Sequence, residues 1–179
     1  MRKANSYILE EIAKSLEEIP DEVVDQVTEA LASARKVFIY GAGRSGLAGK
    51  FFAVRLVQLG MDVHFVGDMT TPIVGEGDLT IIISNTGETM SAVQTANISR
   101  RLGSQVVGVT SEPSSKLAHA SNLVVCIPQV CNGDKKEQAP LGTLFENSTV
   151  IFFDSLIPPL MKMLGQDEND MRHRHAIWV

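Results

Sequence analysis

The sequence predicts a doubly wound α/β fold, a single three-layer α/β/α sandwich built on a five-stranded parallel sheet, with two helices ahead of it. Three observations carry that expectation. Five short apolar runs recur along the chain, longer stretches of helical periodicity separate them, and two strand-to-helix junctions are rich in glycine and hydroxyl residues. Runs that are continuously apolar, not alternating, mark strands covered by helices on both faces. The 179 residues suffice for one such domain and are short for two.

Ile8, Leu9, Ile12, Leu16 and Ile19 recur at helical spacing, and after Pro20 a second helical pattern runs through Val23, Val24, Val27 and Leu31. Residues 1–34 thus form a helical arm that offers packing surface, and residues 35–179 carry the sheet and the C-terminal helices. From Lys36 onward VFIY, VHFV, LTIIIS, VVGVT and LVVCIP read as strands. Ser45 to Leu59 and Thr89 to Leu102 read as helices, closed by Gly60 and Gly103, the residue type that best accepts the left-handed turn ending a helix. PQVCNGDKKEQAPLG, from Pro128, reads as a polar loop. The apolar segment that follows, Leu144 to Leu164, is a helix that Pro158 and Pro159 should kink or split.

Composition narrows the function classes. The hydrophobic fraction of 44%, the charged fraction of 21% and the net charge of -5 describe an ordinary globular protein and argue against non-specific nucleic-acid binding, which needs clustered Lys and Arg. The N-terminus is broken by charges too often to serve as a signal peptide, and no run reaches the ~18 apolar residues of a membrane span. The expectation is a cytoplasmic protein without membrane or nucleic-acid partners. Cys126 and Cys131, in CIPQVC, have no second cysteine pair to complete a metal site and read as free thiols. His173 and His175 are two apart on a helix and point about 200° away from each other, so no metal site is expected there. His64 and His119 read as structural.

The two junctions hold the candidate chemistry. In VFIYGAGRSGLAG the glycines Gly41, Gly43 and Gly46 are spaced G-x-G-x-x-G between a strand and a helix, and Asp68 follows, the setting of a dinucleotide loop with its acidic ribose ligand. The same glycines also suit a tight turn with close helix packing. Arg44 and Ser45 place a cation and a hydroxyl in the loop, which suits a sugar phosphate better than a dinucleotide. The second junction, SNTGETMS, packs Ser84, Thr86, Thr89 and Ser91 around one glycine at a helix start. One hydroxyl would suffice as an N-cap; four at a helix N-terminus point to an anion site. Two such loops at neighbouring strand ends frame a single crevice.

GAGRSG followed by SNTGET resembles the sugar isomerase (SIS) domain, and MTTP (Met69 to Pro72), PLGTLFE (Pro140 to Glu146) and RHRHA near the C-terminus are similar to its 6-phospho-3-hexuloisomerase branch. The resemblance implies a flavodoxin-like strand order and conversion of D-arabino-hex-3-ulose 6-phosphate to fructose 6-phosphate through a cis-enediol, with no cofactor. It implies Glu146 as the catalytic base and His175 as a second catalytic group for ring opening or proton shuttling. Ser84, Thr86 and Thr89 are the phosphate anchors, assisted by Ser45, and Arg44 binds substrate oxygens; Gly43, Asn85, Gly87 and Glu88 complete the binding loops. A homotetramer is implied as well, with the tail bearing His175 reaching a neighbouring subunit, and so is a pathway link to hexulose-6-phosphate synthase in formaldehyde fixation or its reversal.

Competing expectations stand beside these. Thr143 and Glu146 form T-x-x-E before an apolar run, the pattern of a capping box, which would give Glu146 a purely structural role. Asn85 stands where this branch more often has glycine, and the Pro158-Pro159 pair interrupts a helix that its relatives tend to continue. A phosphosugar sensor would need only the two loops and a separate signalling partner, and a nicotinamide-binding protein would use the glycine loop with Asp68.

Overall fold

In the computed structural model, which describes residues 2–129 and 133–175, all five expected strands are present: β1 (Val37–Gly41), β2 (Val63–Phe65), β3 (Leu79–Ile83), β4 (Gln105–Thr110) and β5 (Leu123–Cys126). They pair in parallel in the order β2-β1-β3-β4-β5. The chain steps outward from β1 to β2, then crosses back over β1 to β3. The loops that follow β1 and β3 therefore leave the sheet in opposite directions and open a crevice at its carboxyl end.

The pleat divides the core in two. Ile39, Leu79, Ile81, Ile83, Val107 and Val109 face one layer, where α2 (Asp21–Ser33), α3 (Gly43–Gln58), α7 (Thr143–Ser155) and α8 (Ile157–Leu164) pack. Ile82 and Val106 face the other, under α4 (Met90–Arg101) and α5 (Lys116–Ala120). Phe52 of α3 and Phe153 of α7 stack with ring centroids 4.2 Å apart, which fixes α7 against the helix that follows the glycine loop. The leading helices are seated on this same core: α1 (Arg2–Glu17) lies along α7, and α2 buries Val27 and Leu31 against α8 and the sheet.

Gly60 and Gly103 close α3 and α4 with φ of +87° and +91°, as their positions predict. The proline pair splits the long apolar segment. Leu156 ends α7 and begins α8, so Pro158 and Pro159 fall in a first turn, where the missing N–H groups have no helical partner to lose. The expected polar loop after Pro128 contains a four-residue helix, α6 (Lys135–Gln138), too short for its periodicity to register in sequence. A capping box at Asp167 starts α9 (Glu168–His173). Cys126 is a free thiol whose pKa burial pushes up, aided by nearby Glu112, so it is a poor nucleophile near neutrality. Cys131 and Ala176 lie outside the described residues. No helix among the described residues is long and apolar enough to cross a membrane.

His64 packs its ring on Phe38, and His119 bonds its own helix start through the Ser115 carbonyl, both structural placements. The buried carboxylate of Asp78 ties the end of the β2–β3 connection to the start of β1. It accepts from Arg35 Nε at 3.1 Å and from the Gly75 amide at 2.9 Å. Burial pushes its pKa up, but these hydrogen bonds and the nearby positive charge outweigh burial and hold it below the ordinary carboxylate range. A depressed folded-state value means stability that is present above the unfolded value of about 3.9 and lost as pH falls through the folded one. Asp78→Ala is expected to lower stability by about 2 kcal/mol at pH 7 and to shrink that deficit near pH 2, measured by urea unfolding at both pH values. An equal loss at both would show that the carboxylate charge is not the source.

Candidate functional site

The two loops meet at the switch point. Gly41 ends β1 and Gly46 lies in the first turn of α3. A Cβ on Gly46 would sit 2.3 Å from the Gly41 carbonyl oxygen, and one on Gly41 would sit 2.8 Å from the Gly46 amide nitrogen. These two glycines therefore let strand and helix touch backbone to backbone, the packing role that the spacing also allowed. Arg44 and Ser45 occupy the first turn of α3, Arg44 exposed and Ser45 half-buried. Asp68 lies with Lys50, Ala53 and Arg174 in a separate groove along α3, whose lining shares no residue with the crevice at Arg44.

The Ser84–Thr89 loop is fastened from behind by the segment after β4. The Asn85 carbonyl accepts from the Ser111 amide, the Ser111 hydroxyl and the Thr110 hydroxyl at 2.9 to 3.0 Å, and the Gly87 carbonyl accepts from the Leu117 amide at 2.9 Å. Gly87 is buried with φ +63°, and a Cβ there would fall 2.0 Å from Ser115 Oγ. Ser84 Oγ donates to Thr89 Oγ1 at 3.0 Å, and Thr86 Oγ1 accepts from the Glu88 amide at 3.3 Å. Thr89 is the N-cap of α4, yet its side chain makes no capping hydrogen bond. The hydroxyls are thus not consumed by N-capping, and the first-turn amides of α4 remain available to an anion. The Glu88 carboxylate, expected among the binding groups, is taken by Lys116: Oε1 accepts from the Lys116 amide at 3.1 Å and Oε2 from its Nζ at 2.7 Å. Those hydrogen bonds hold Glu88 below the usual carboxylate range.

Glu146 arrives from a third element, and here the structure corrects the capping-box reading. The N-cap of α7 is Gly142; Thr143 is already the first helical residue, and its hydroxyl donates to the Pro140 carbonyl at 2.6 Å. One residue of slippage removes the capping geometry. Instead, the mostly buried Glu146 side chain pairs through Oε2 with Arg44 Nε across the top of the sheet. A Cβ on Gly142 would lie 2.9 Å from Glu146 Oε1 and 3.6 Å from Asn85 Nδ2, so the absence of a side chain there lets the carboxylate and the Asn85 amide approach. Arg44, Asn85 and Glu146 thus converge from the first loop, the second loop and α7. A crevice of about 210 Å³, lined by Arg44, Leu47, Phe51, Glu146 and Asn147, opens beside them.

His175 is not among them. Arg174 Nη1 donates to the Gln58 carbonyl at 3.1 Å and to Gln166 Oε1 at 2.8 Å, which ties the segment after α9 to the far end of α3. At 1.5 Å per residue that end is roughly 20 Å from Arg44, toward the amino end of the strands. Sequence reasoning missed the supporting groups Ser111, Ser115, Lys116 and Gly142. TSEPSSK after β4 is a third hydroxyl-rich strand end and was the available signal for the first three.

A parallel sheet in this order, with a glycine loop and a hydroxyl-rich loop at its switch point, is a doubly wound α/β domain, and the chain belongs to the SIS domain family, which its residues 30–141 match. Among its relatives, 3-hexulose-6-phosphate isomerase of Bacillus subtilis is 38% identical over 94% of both chains. That of Methylomonas aminofaciens is 32% identical over 98% of both. A crystal structure from Methanococcus jannaschii, interpreted as inferring a molecular function of 3-hexulose-6-phosphate isomerase, superposes with a TM-score of 0.84 at 30% identity, covering 98% of this chain and 97% of that one.

Proposed function

We propose that this protein is an isomerase that converts D-arabino-hex-3-ulose 6-phosphate to D-fructose 6-phosphate. The observation that carries the proposal is the approach of the Glu146 carboxylate, the Arg44 guanidinium and the Asn85 amide from three separate elements. The phosphate rests on the Ser84–Thr89 loop and the N-terminus of α4, with Ser45 and the Gly43 turn forming the facing wall. Held there, the sugar presents C2 and C3 toward Glu146. Glu146 removes the proton on C2, and the electron pair forms the C2–C3 double bond of a cis-enediolate as the C3 carbonyl becomes an oxyanion. The hydroxyl proton on O2 passes to O3, and the same carboxylate returns its proton to C3 as the C2–O bond becomes the new carbonyl. Arg44 exchanges its contact with Glu146 for the oxygens on which negative charge develops. No electron leaves the substrate, so the reaction balances without a redox cofactor.

The direct test generates the hexulose phosphate from ribulose 5-phosphate and formaldehyde with a hexulose-6-phosphate synthase, adds this protein, and follows fructose 6-phosphate in a coupled assay. Rapid formation supports the proposal; a folded sample that forms none defeats it. The synthase is the natural supplier or consumer of the same intermediate, in formaldehyde fixation or its reversal.

The proposal extends to a homotetramer. Leu47, Phe51 and Val54 form a stripe on α3 that is 65%, 50% and 59% exposed, an apolar face suited to a second copy. Leu47 and Phe51 also line the crevice, so a copy seated there would close it from water. The leading helices supply further outer surface, with Leu9 exposed. His175 follows Arg174, which is tied to the far end of α3 from Arg44, so in this reading it serves a neighbour's site. Mixing inactive Glu146→Gln chains with inactive His175→Ala chains, after dissociation and reassembly, is therefore expected to restore roughly a quarter of wild-type activity by random assortment into paired sites. A mixture as dead as its parts would remove His175 from a shared site.

A further inference from the structure

We infer that Lys116 sets the charge of the phosphate cradle: paired with Glu88, it cancels an anion carried by the loop itself and so lets that loop accept a phosphate dianion. The inference rests on reading the Ser84–Thr89 loop as the phosphate site. Glu88 lies between Thr86 and Thr89, immediately before the N-cap of α4, so its negative charge belongs to the same loop as any anion held there. A phosphate monoester carries about -1.5 to -2 charges near neutrality, and a bare carboxylate in that loop would repel it. The Lys116 ammonium stands 2.7 Å from Glu88 Oε2, and the Lys116 amide holds Oε1 at 3.1 Å.

This pair is not what fastens the loop. The Asn85 and Gly87 carbonyls are held by Thr110, Ser111 and Leu117, none of which needs the charges of Glu88 or Lys116. Both side chains are also well exposed, 66% for Lys116 and 48% for Glu88, and exposed ion pairs contribute little to folding. The pair's consequence is felt by a third charge brought to the same loop. Charge arithmetic then gives opposite signs for the two single substitutions, whereas a fastening role would give the same sign for both.

The experiment is calorimetric titration of the full-length protein with inorganic phosphate and with fructose 6-phosphate at low ionic strength, where screening is weak. Lys116→Met is expected to weaken both about tenfold, and Glu88→Gln to tighten both about threefold. The double variant should lie within about twofold of wild type and Lys116→Arg should retain wild-type affinity, all with unchanged thermal midpoints. Wild-type affinity in Lys116→Met, or weakening in Glu88→Gln that parallels it, would overturn the inference while leaving the cradle intact. A wild-type protein that takes up neither ligand would overturn the cradle and the inference together.

Discussion

Glu146→Gln is expected to lower kcat about a thousandfold while leaving the protein folded and its phosphate affinity close to wild type. The expectation follows from what Glu146 does not do. It is the fourth residue of α7 and takes no part in capping that helix, so an isosteric amide removes no helix-end hydrogen bond. Its charged partner is the largely exposed Arg44, and losing that contact costs little folding energy. An amide can still accept a hydrogen bond but cannot carry a proton from C2 to C3, so the loss falls on the chemical step. Arg44→Met separates base from charge stabiliser: it should raise KM and lower kcat by less than Glu146→Gln does, because only developing charge is left unsupported. Equal losses in the two variants, or substantial turnover by folded Glu146→Gln, would demote Glu146 to a holder of Arg44.

The sheet was legible because its strands are buried on both faces, which makes VFIY, LTIIIS and VVGVT continuous apolar runs that no turn or solvated strand would tolerate. Gly60, Gly103 and the proline pair marked helix ends for equally direct reasons, since backbone conformation and missing donors act locally. The short helices α5 and α6 were not legible: five and four residues do not complete enough turns to display a 3.6-residue period. The leading helices read as an arm because their amphipathic pattern identifies a buried face without identifying what buries it. That face meets α7 and α8, whose place over the sheet is a tertiary fact.

The candidate site was legible in its loops and much less so in its connections. Hydroxyls gathered at a helix start are visible through local composition, but T-x-x-E was ambiguous because a capping carboxylate and one that pairs elsewhere differ by a one-residue shift of helix start. Gly142, not Thr143, takes the N-cap position, and that choice turns Glu146 toward Arg44, 102 residues away in sequence. The pairing of Glu88 was hidden for a related reason: its partner Lys116 opens α5 after the next strand, and 28 residues of separation conceal the pair from any local pattern. The tail is the remaining case. RHRHA resembles an active-site histidine segment, yet Arg174 ties it to Gln58 at the far end of α3, a contact across 116 residues that no local pattern displays.

Gly87→Ala should damage both folding and the loop that Gly87 belongs to. The residue has φ +63°, where an L side chain is strained, and the new Cβ would lie 2.0 Å from Ser115 Oγ, 2.4 Å from Ser115 Cβ and 2.9 Å from Thr110 Oγ1. Ser115 is buried and its hydroxyl accepts from the Ala118 amide to cap α5, so it has no free direction in which to yield. The loop must therefore part from the segment behind it, which breaks the Leu117 to Gly87 hydrogen bond and swings Thr86 away from the start of α4. Strain and overpacking together cost about 2 to 3 kcal/mol, a fall of roughly 5–10 °C in thermal midpoint for a chain of this size. Displacement of the anchoring groups by an ångström or so should lower kcat/KM about a hundredfold. Adding Ser115→Gly removes the two closest contacts and leaves only the backbone strain and Thr110, so the double variant should regain phosphate affinity even though it gives up the α5 cap. Recovery of binding without recovery of stability would locate the damage at the Gly87–Ser115 contact. Wild-type affinity in Gly87→Ala itself would mean that the phosphate does not depend on this loop.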